Sequence, residues 1–310
     1  MQINRPSIET AARRIAGDIR HTPLWCLPGR ALGLDIAEVW LKLEHLQLGG
    51  SFKARGMFNR MRSLAIPAAG VVVASGGNAG IAVATAAQAM GVPCEVFLPE
   101  VSGAAKRAAL AALGATVMVR GAAYAEALAA CLARQAQSGA LLMHAYDQAE
   151  VVVGAGTLAA EIEAQAGLPD RLLVSVGGGG LIAGVAAWCA GRCRVEALEP
   201  RLAPTLHAAR AAGEPVDVAV SGLAADSLGA RRIGSLAWPI SQQFVAAAHL
   251  LEDDAIRRAQ RRMWDELRLA VEPAAALPLA ALWEGVVKPQ AHERVAVVVC
   301  GANLELSSLG

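Results

Sequence analysis

From residue 39 onward, short continuous runs of apolar residues alternate with longer stretches of helical spacing. Residues 39–43 read as a strand, and Lys53 opens a helix. Residues 70–74 form an unbroken apolar strand, followed by a Ser/Gly/Asn turn and an Ala-rich helix over 80–90. Strands at 93–98 and 116–119 alternate with helices at 106–113 and 124–137. The pattern then restarts. A helix over 157–166 leads to a strand at 171–176, a run of glycines, a helix to residue 190, and a strand at 194–198. Residues 201–240 are less regular. Helices at 253–269 and 275–283 and a buried strand at 295–299 complete the chain. Ahead of all this, 7–19 is a helix with Ser7 and Thr10 as candidate caps, ended by His21-Thr22-Pro23. Strands this apolar are buried on both faces, and a βαβα order predicts parallel, doubly wound sheet. Two such α/β units with a boundary near residue 146 are the economical arrangement.

Composition narrows the classes. The chain has 310 residues, 55% of them hydrophobic, 18% charged and 4% aromatic, with a net charge of +1. With no basic block, a nucleic-acid or acidic-membrane partner is not expected. Residues 63–94 and 172–191 are free of charge and long enough to span a bilayer. Each is interrupted by glycine clusters, so both read as strand, turn and buried helix. No apolar signal core opens the chain. The six cysteines are scattered, which suits reduced thiols in a cytoplasmic protein. The low charge is consistent with a buried subunit interface.

Four places could carry chemistry. Lys53 follows Gly49-Gly50-Ser51-Phe52 at a helix start, where a partly desolvated amine can condense with a carbonyl. By itself it reads more readily as a solvated surface lysine at a helix start. Ser75-Gly76-Gly77-Asn78-Ala79-Gly80 offers N–H groups, a hydroxyl and a carboxamide at a helix N-terminus, suited to a carboxylate or only to tight packing. Gly177, Gly178, Gly179 and Gly180, before Leu181, let the backbone close round a phosphate. Gly178, Gly180 and Ala183, with Glu199 further on, also fit a dinucleotide fingerprint, so NAD is a rival on this stretch. Cys300, beside Asn303 at a strand end, could face a ring nitrogen as an uncharged partner. A lysine, a phosphate cradle and a ring-nitrogen partner together suit pyridoxal 5'-phosphate, whereas NAD leaves Lys53 and Cys300 unexplained.

With these residues in place the chain resembles the fold-type II pyridoxal-phosphate enzymes of the serine/threonine dehydratase (ammonia-lyase) family. The matching pieces include His21-Thr22-Pro23-Leu24, Gly50 through Gly56, Ser75 through Gly80, Gly154-Ala155-Gly156-Thr157 and Ser175 through Leu181. Glu199-Pro200, Val271-Glu272-Pro273-Ala274 and Cys300-Gly301-Ala302-Asn303 follow in family order. The resemblance implies an α/β fold of two doubly wound parallel-sheet domains of the tryptophan-synthase-β-like kind, with the cofactor in the cleft between them. The large domain would comprise 1–44 and 147–310, with 45–146 inserted as the small one. Lys53 would be the covalent anchor, with Phe52 beside the cofactor and Asn78 on its phenolic oxygen. Gly177, Gly178, Gly179, Gly180 and Leu181 would hold the phosphate, and Cys300 the pyridine nitrogen. Ser75, Gly76, Asn78 and Ala79 would hold the substrate carboxylate. The implied reaction is β-elimination from a 3-hydroxy amino acid, L-serine or L-threonine, giving a 2-oxo acid and ammonia in a cytoplasmic homodimer. A bulkier substrate such as phenylserine, β-replacement as in cysteine synthesis, and a non-catalytic or NAD-type binding protein are the alternatives.

Three positions depart from the family pattern. Members that racemise serine carry a second serine where this chain has Gly76, so dehydration without racemisation is expected. Members with a divalent-cation site have an acid where this chain has Thr205, so no metal is expected, although Glu199 is a candidate for a monovalent ion. Ala302 replaces a common glycine. The chain ends soon after Asn303, which favours a catabolic over a feedback-regulated role.

Overall fold

The computed structural model describes residues 1–305; residues 306–310, the end of the expected large domain, lie outside the described residues. In chain order the first elements are α1 (Arg5–Ile15), β1 (Leu24–Pro28), β2 (Glu38–Lys42) and α2 (Lys53–Ser63). Next come β3 (Val71–Ala74), α3 (Asn78–Met90), β4 (Cys94–Leu98), α4 (Ala104–Ala112), β5 (Thr116–Val119), α5 (Tyr124–Ser138) and β6 (Leu141–Met143). The rest are α6 (Ala149–Ala166), β7 (Arg171–Ser175), α7 (Gly180–Cys189), β8 (Arg194–Pro200), α8 (Thr205–Ala212), α9 (Ala237–Phe244), β9 (Val245–Leu251), α10 (Asp253–Leu267), α11 (Pro273–Trp283) and β10 (Arg294–Val298).

Two sheets result. One has the order β1-β2-β10-β7-β8-β9 and the other β5-β4-β3-β6. Every pairing is parallel except β1 with β2. The continuous apolar runs of β3 and β7 are buried along their whole length, as helices on both faces require. α7 is likewise buried on all sides, which is why its sequence carries no polar face. One large core surrounds the first sheet, and two smaller ones cover the faces of the second.

Several elements differ from the sequence pattern. Asn4, not Ser7, caps α1: its side chain accepts from the N–H of Ser7, whose hydroxyl answers the N–H of Asn4. α6 begins at Ala149 rather than 157, because the β-branched run 151–153 is packed inside a buried helix. The irregular stretch 201–240 contains α8 and the start of α9. β1, β6 and β9 extend the sheets where no strand was expected.

The carboxyl ends of the parallel strands face a common cleft, the place where ligands bind in such sheets. Lys53 follows β2, the 75–78 turn follows β3, the glycine run follows β7, and Cys300 follows β10.

Candidate active site

The chain reaches Lys53 through two glycines in left-handed conformation, Gly49 at φ 67° and Gly50 at φ 73°. A Cβ on Gly50 would lie 2.7 Å from Oδ1 of Asn303, so a larger residue fits neither the angle nor the space. The strand end at Cys300 then stitches the segment in place. The N–H of Phe52 donates to the Cys300 carbonyl at 3.0 Å, and that of Ala302 donates to the Gly50 carbonyl at 2.9 Å. Lys53 therefore enters α2 held against Cys300. Its Nζ donates to the Ala145 carbonyl at 2.7 Å and stands 5.2 Å from the centre of the Phe52 ring. Burial pushes the amine down to about 8, against the opposing pull of Glu272 and Cys300.

Lys53 opens into a narrow cleft. The wall includes Phe52, Asn78, the run from Gly177 to Leu181, and Cys300. Two larger grooves lie elsewhere on the surface. One is lined mainly by small and apolar residues. In the other, the arginines are already paired: Arg192 with Glu163, Arg194 with Glu196 and Arg294 with Asp170.

The glycine run forms a close-fitting cradle. Gly179 is left-handed at φ 87° and precedes the first turn of α7, whose leading N–H groups have no acceptor within the helix. A Cβ on Gly178 would come within 2.3 Å of the Tyr146 ring, and one on Gly179 within 2.5 Å of Ile233. Thr205 ties the loop from behind, donating through its hydroxyl to the Gly177 carbonyl at 2.5 Å. Side-chain-free backbone at a helix N-terminus is suited to an anionic oxygen cluster, and so fits a phosphate.

Asn78, the first residue of α3, turns its carboxamide inward. Nδ2 donates to both oxygens of Glu272 at 2.9 Å, and Oδ1 accepts from Asn303 Nδ2 at 2.6 Å. Burial pushes the Cys300 thiol well above its ordinary value, so it is neutral. Ser75, Gly76 and Ala79 belong to the same turn as Asn78 but do not line this cleft. Glu199 caps α8: its oxygens accept from the N–H groups of Leu206 and His207 at 2.7 and 2.8 Å, and Oε1 lies 3.1 Å from the Thr205 hydroxyl oxygen. Burial still raises it to about 7. No group of three or more metal-ligating acids, histidines or cysteines occurs among the described residues.

Six wall residues carried no role in the sequence pattern: Tyr146, Ser175, Ser227, Leu228, Glu272 and Ala274. Tyr146 lies in no motif, and only folding lays its ring across Gly178. Ser227 and Leu228 sit in the less regular stretch 201–240. Glu272 stood within a matched motif but had no chemistry attached.

The chain matches the family profile described as pyridoxal-phosphate dependent enzyme over residues 15–301. It is 34% identical to phenylserine dehydratase of Ralstonia pickettii, covering 94% of this chain and 90% of that protein. It is 35% identical to L-threonine ammonia-lyase of Geobacter sulfurreducens, covering 87% of this chain and 68% of that one. Among solved structures, maize serine racemase superposes with a TM-score of 0.92 at 30% identity, covering 100% of this chain and 96% of that chain.

Proposed function

The chain belongs to the pyridoxal-phosphate-dependent enzymes, and from that premise we propose that it converts L-serine or L-threonine to a 2-oxo acid and ammonia by β-elimination. The observation that carries this reading is the convergence of Lys53, the glycine cradle and the neutral Cys300 on one cleft. Bound there, pyridoxal phosphate supplies an aldehyde for amine capture and a ring that accepts charge from the substrate α-carbon.

The protein's own groups divide the remaining work. Lys53 is the anchor and, through Nζ, the base for the substrate α-proton. Its amine, at about 8, is free often enough near neutral pH to take that proton. The N–H groups from Gly177 to Leu181 would hold the phosphate. Cys300, neutral on the cleft wall, would be the partner of the ring nitrogen and would not force it to stay protonated. Phe52 would pack beside the ring, and Asn78 would lie on the side of the phenolic oxygen. Ser75, Gly76 and Ala79, on the turn that carries Asn78 but outside the cleft wall, would take the substrate carboxylate only as the family pattern implies.

A bulkier β-substituent is the second reading, favoured by the near full-length similarity to phenylserine dehydratase. We further infer two domains, 1–44 with 147–310 and 45–146, and a cytoplasmic homodimer. Six free cysteines support the location, and surface Trp25 and Leu46 suit a subunit contact. Among the described residues no helix is long and apolar enough to cross a membrane.

The deciding experiment incubates the cofactor-loaded protein with a panel of 3-hydroxy amino acids and measures 2-oxo acid and ammonia. Turnover of serine or threonine is expected, and it should vanish in Lys53→Ala. No turnover across the panel overturns the assignment.

A further inference from the structure

Glu272 is a buried carboxyl that the elimination scheme leaves without work. It stands at the N-cap of α11 and is 4% exposed. Asn78 donates to both of its oxygens, and the Asn303 N–H donates to it as well. The Asn78 amide has only one workable orientation. Its Oδ1 accepts from Asn303 Nδ2, which also donates to the Gly49 carbonyl at 2.8 Å. A flipped amide would set oxygen against the Glu272 carboxylate and nitrogen against nitrogen. Gly301 makes room for the arrangement, since a Cβ there would lie 2.5 Å from Glu272 Oε1. Glu272 thus links α3, from one sheet, to α11, from the other.

Three titratable groups act on this carboxyl or share its surroundings. Lys53 faces it from α2, Asp226 from the loop over the cleft, and Cys300 from the end of β10. Cys300 is neutral, and exposed Asp226 is paired with Lys106. Lys53 is the cation left to answer the carboxylate.

We propose that Glu272 is a positioning residue for Lys53, locking Asn78 in place and supplying the buried counter-charge against which the lysine amine gains and loses its proton. This rests on the reading of Lys53 as the base. The direction of each group's shift agrees. Lys53 and Glu272 line the same cleft, burial raises Glu272 to about 7 and lowers Lys53 to about 8, and each charge favours the charged form of the other. Replacing the carboxylate by a neutral amide removes the larger of the two influences, Glu272 and Cys300, that favour a charged Lys53.

Competitive labelling of the full-length apoprotein with acetic anhydride, read by peptide mass spectrometry, reports the free-amine fraction of Lys53 at each pH. Exposed Lys288 serves as the internal standard. Glu272→Gln is expected to move the Lys53 midpoint down by about one pH unit or more, with Lys288 unmoved. Glu272→Asp, which keeps the charge, should stay within about half a unit of the parent. Should Glu272→Gln fail to fold, Asn78→Ala gives the second arm: without its amide donor Glu272 is less ionised, and the Lys53 midpoint again falls. A midpoint that is unchanged or raised in the folded variant overturns the proposal. Because labelling needs neither cofactor nor turnover, that outcome is separate from a failure of the dehydratase reading.

Discussion

Arg55 donates to Glu44 through Nε at 2.7 Å and through Nη2 at 2.6 Å, and both side chains are buried. Arg55 also reaches Glu161 at 3.0 Å, and Glu161 in turn accepts from Lys42 at 2.6 Å. This network pins the first turn of α2 to the end of β2 and to α6, two residues beyond Lys53. Arg55→Met would leave the Glu44 charge buried without its main partner, a loss of about 3–5 kcal/mol. The expected result is a large fall in the denaturant midpoint and weaker turnover at every substrate concentration. Arg55→Lys should recover only part of it, because an ammonium cannot make the two-pronged contact. An unchanged midpoint in Arg55→Met would remove the network from the account of how Lys53 is held.

The Tyr146 ring is the closest neighbour of Gly178, and it is itself braced edge-on by His144 with ring centres 4.7 Å apart. Gly178→Ala forces a methyl into that ring, an overpacking cost of about 1–3 kcal/mol. If the loop must keep its shape to hold the phosphate, cofactor affinity should drop about 10- to 100-fold. Adding Tyr146→Ala should restore much of the loss. Fluorescence titration of the apoproteins with pyridoxal phosphate reads both effects, and equal affinities for parent and Gly178→Ala would count against the cradle.

The family pattern implies a proton-bearing serine in racemising members at the position of Gly76. A Cβ here would lie 2.8 Å from Leu98 Cδ2, so the fold itself leaves no room unless Leu98 moves. L-serine should therefore give 2-oxo acid without D-serine at a comparable rate, as checked by chiral chromatography in deuterated water. Gly76→Ser alone should lose stability by about 1–3 kcal/mol through the displaced Leu98. D-serine forming as fast as the 2-oxo acid in the parent protein would refute this.

The parts of this site visible in the sequence are those built from neighbours in the chain. The turn into α2 and the glycine run after β7 are local geometry, and their residues announce it. The residues that escaped notice act across distance. Glu272 meets Asn78 at a separation of 194 positions, and no local pattern marks that meeting. The same holds for strands. β9 is Ala-rich, with few β-branched residues, and is a strand because β8 lies beside it. β6 has three residues and pairs with β3 alone. α6 was misread at its start because 151–153 favour a strand locally, whereas burial against α7 and α2 decides for helix.

Glu161 sets the acid side of the stability profile. Burial alone would raise its pKa, but Arg55 and then Lys42 outweigh burial and hold the carboxyl at about 2. A carboxyl depressed in the folded state contributes stability that is present above its unfolded pKa. That stability is lost as pH falls through the folded value. The window for Glu161 therefore runs from about pH 4.5 down to about 2 and covers about 3 kcal/mol. Glu161→Gln should be strongly destabilised at pH 7, because Lys42 and Arg55 stay buried with less compensation. Its deficit relative to the parent should shrink as pH is lowered, since only the parent loses this interaction. Glu196, also held at about 2, titrates in both proteins and cancels from the comparison. Urea unfolding of the two proteins at a series of pH values from 7 to 3 measures the gap directly. A gap that stays constant across the series would mean that Glu161 is not the carboxylate that carries the acid limb.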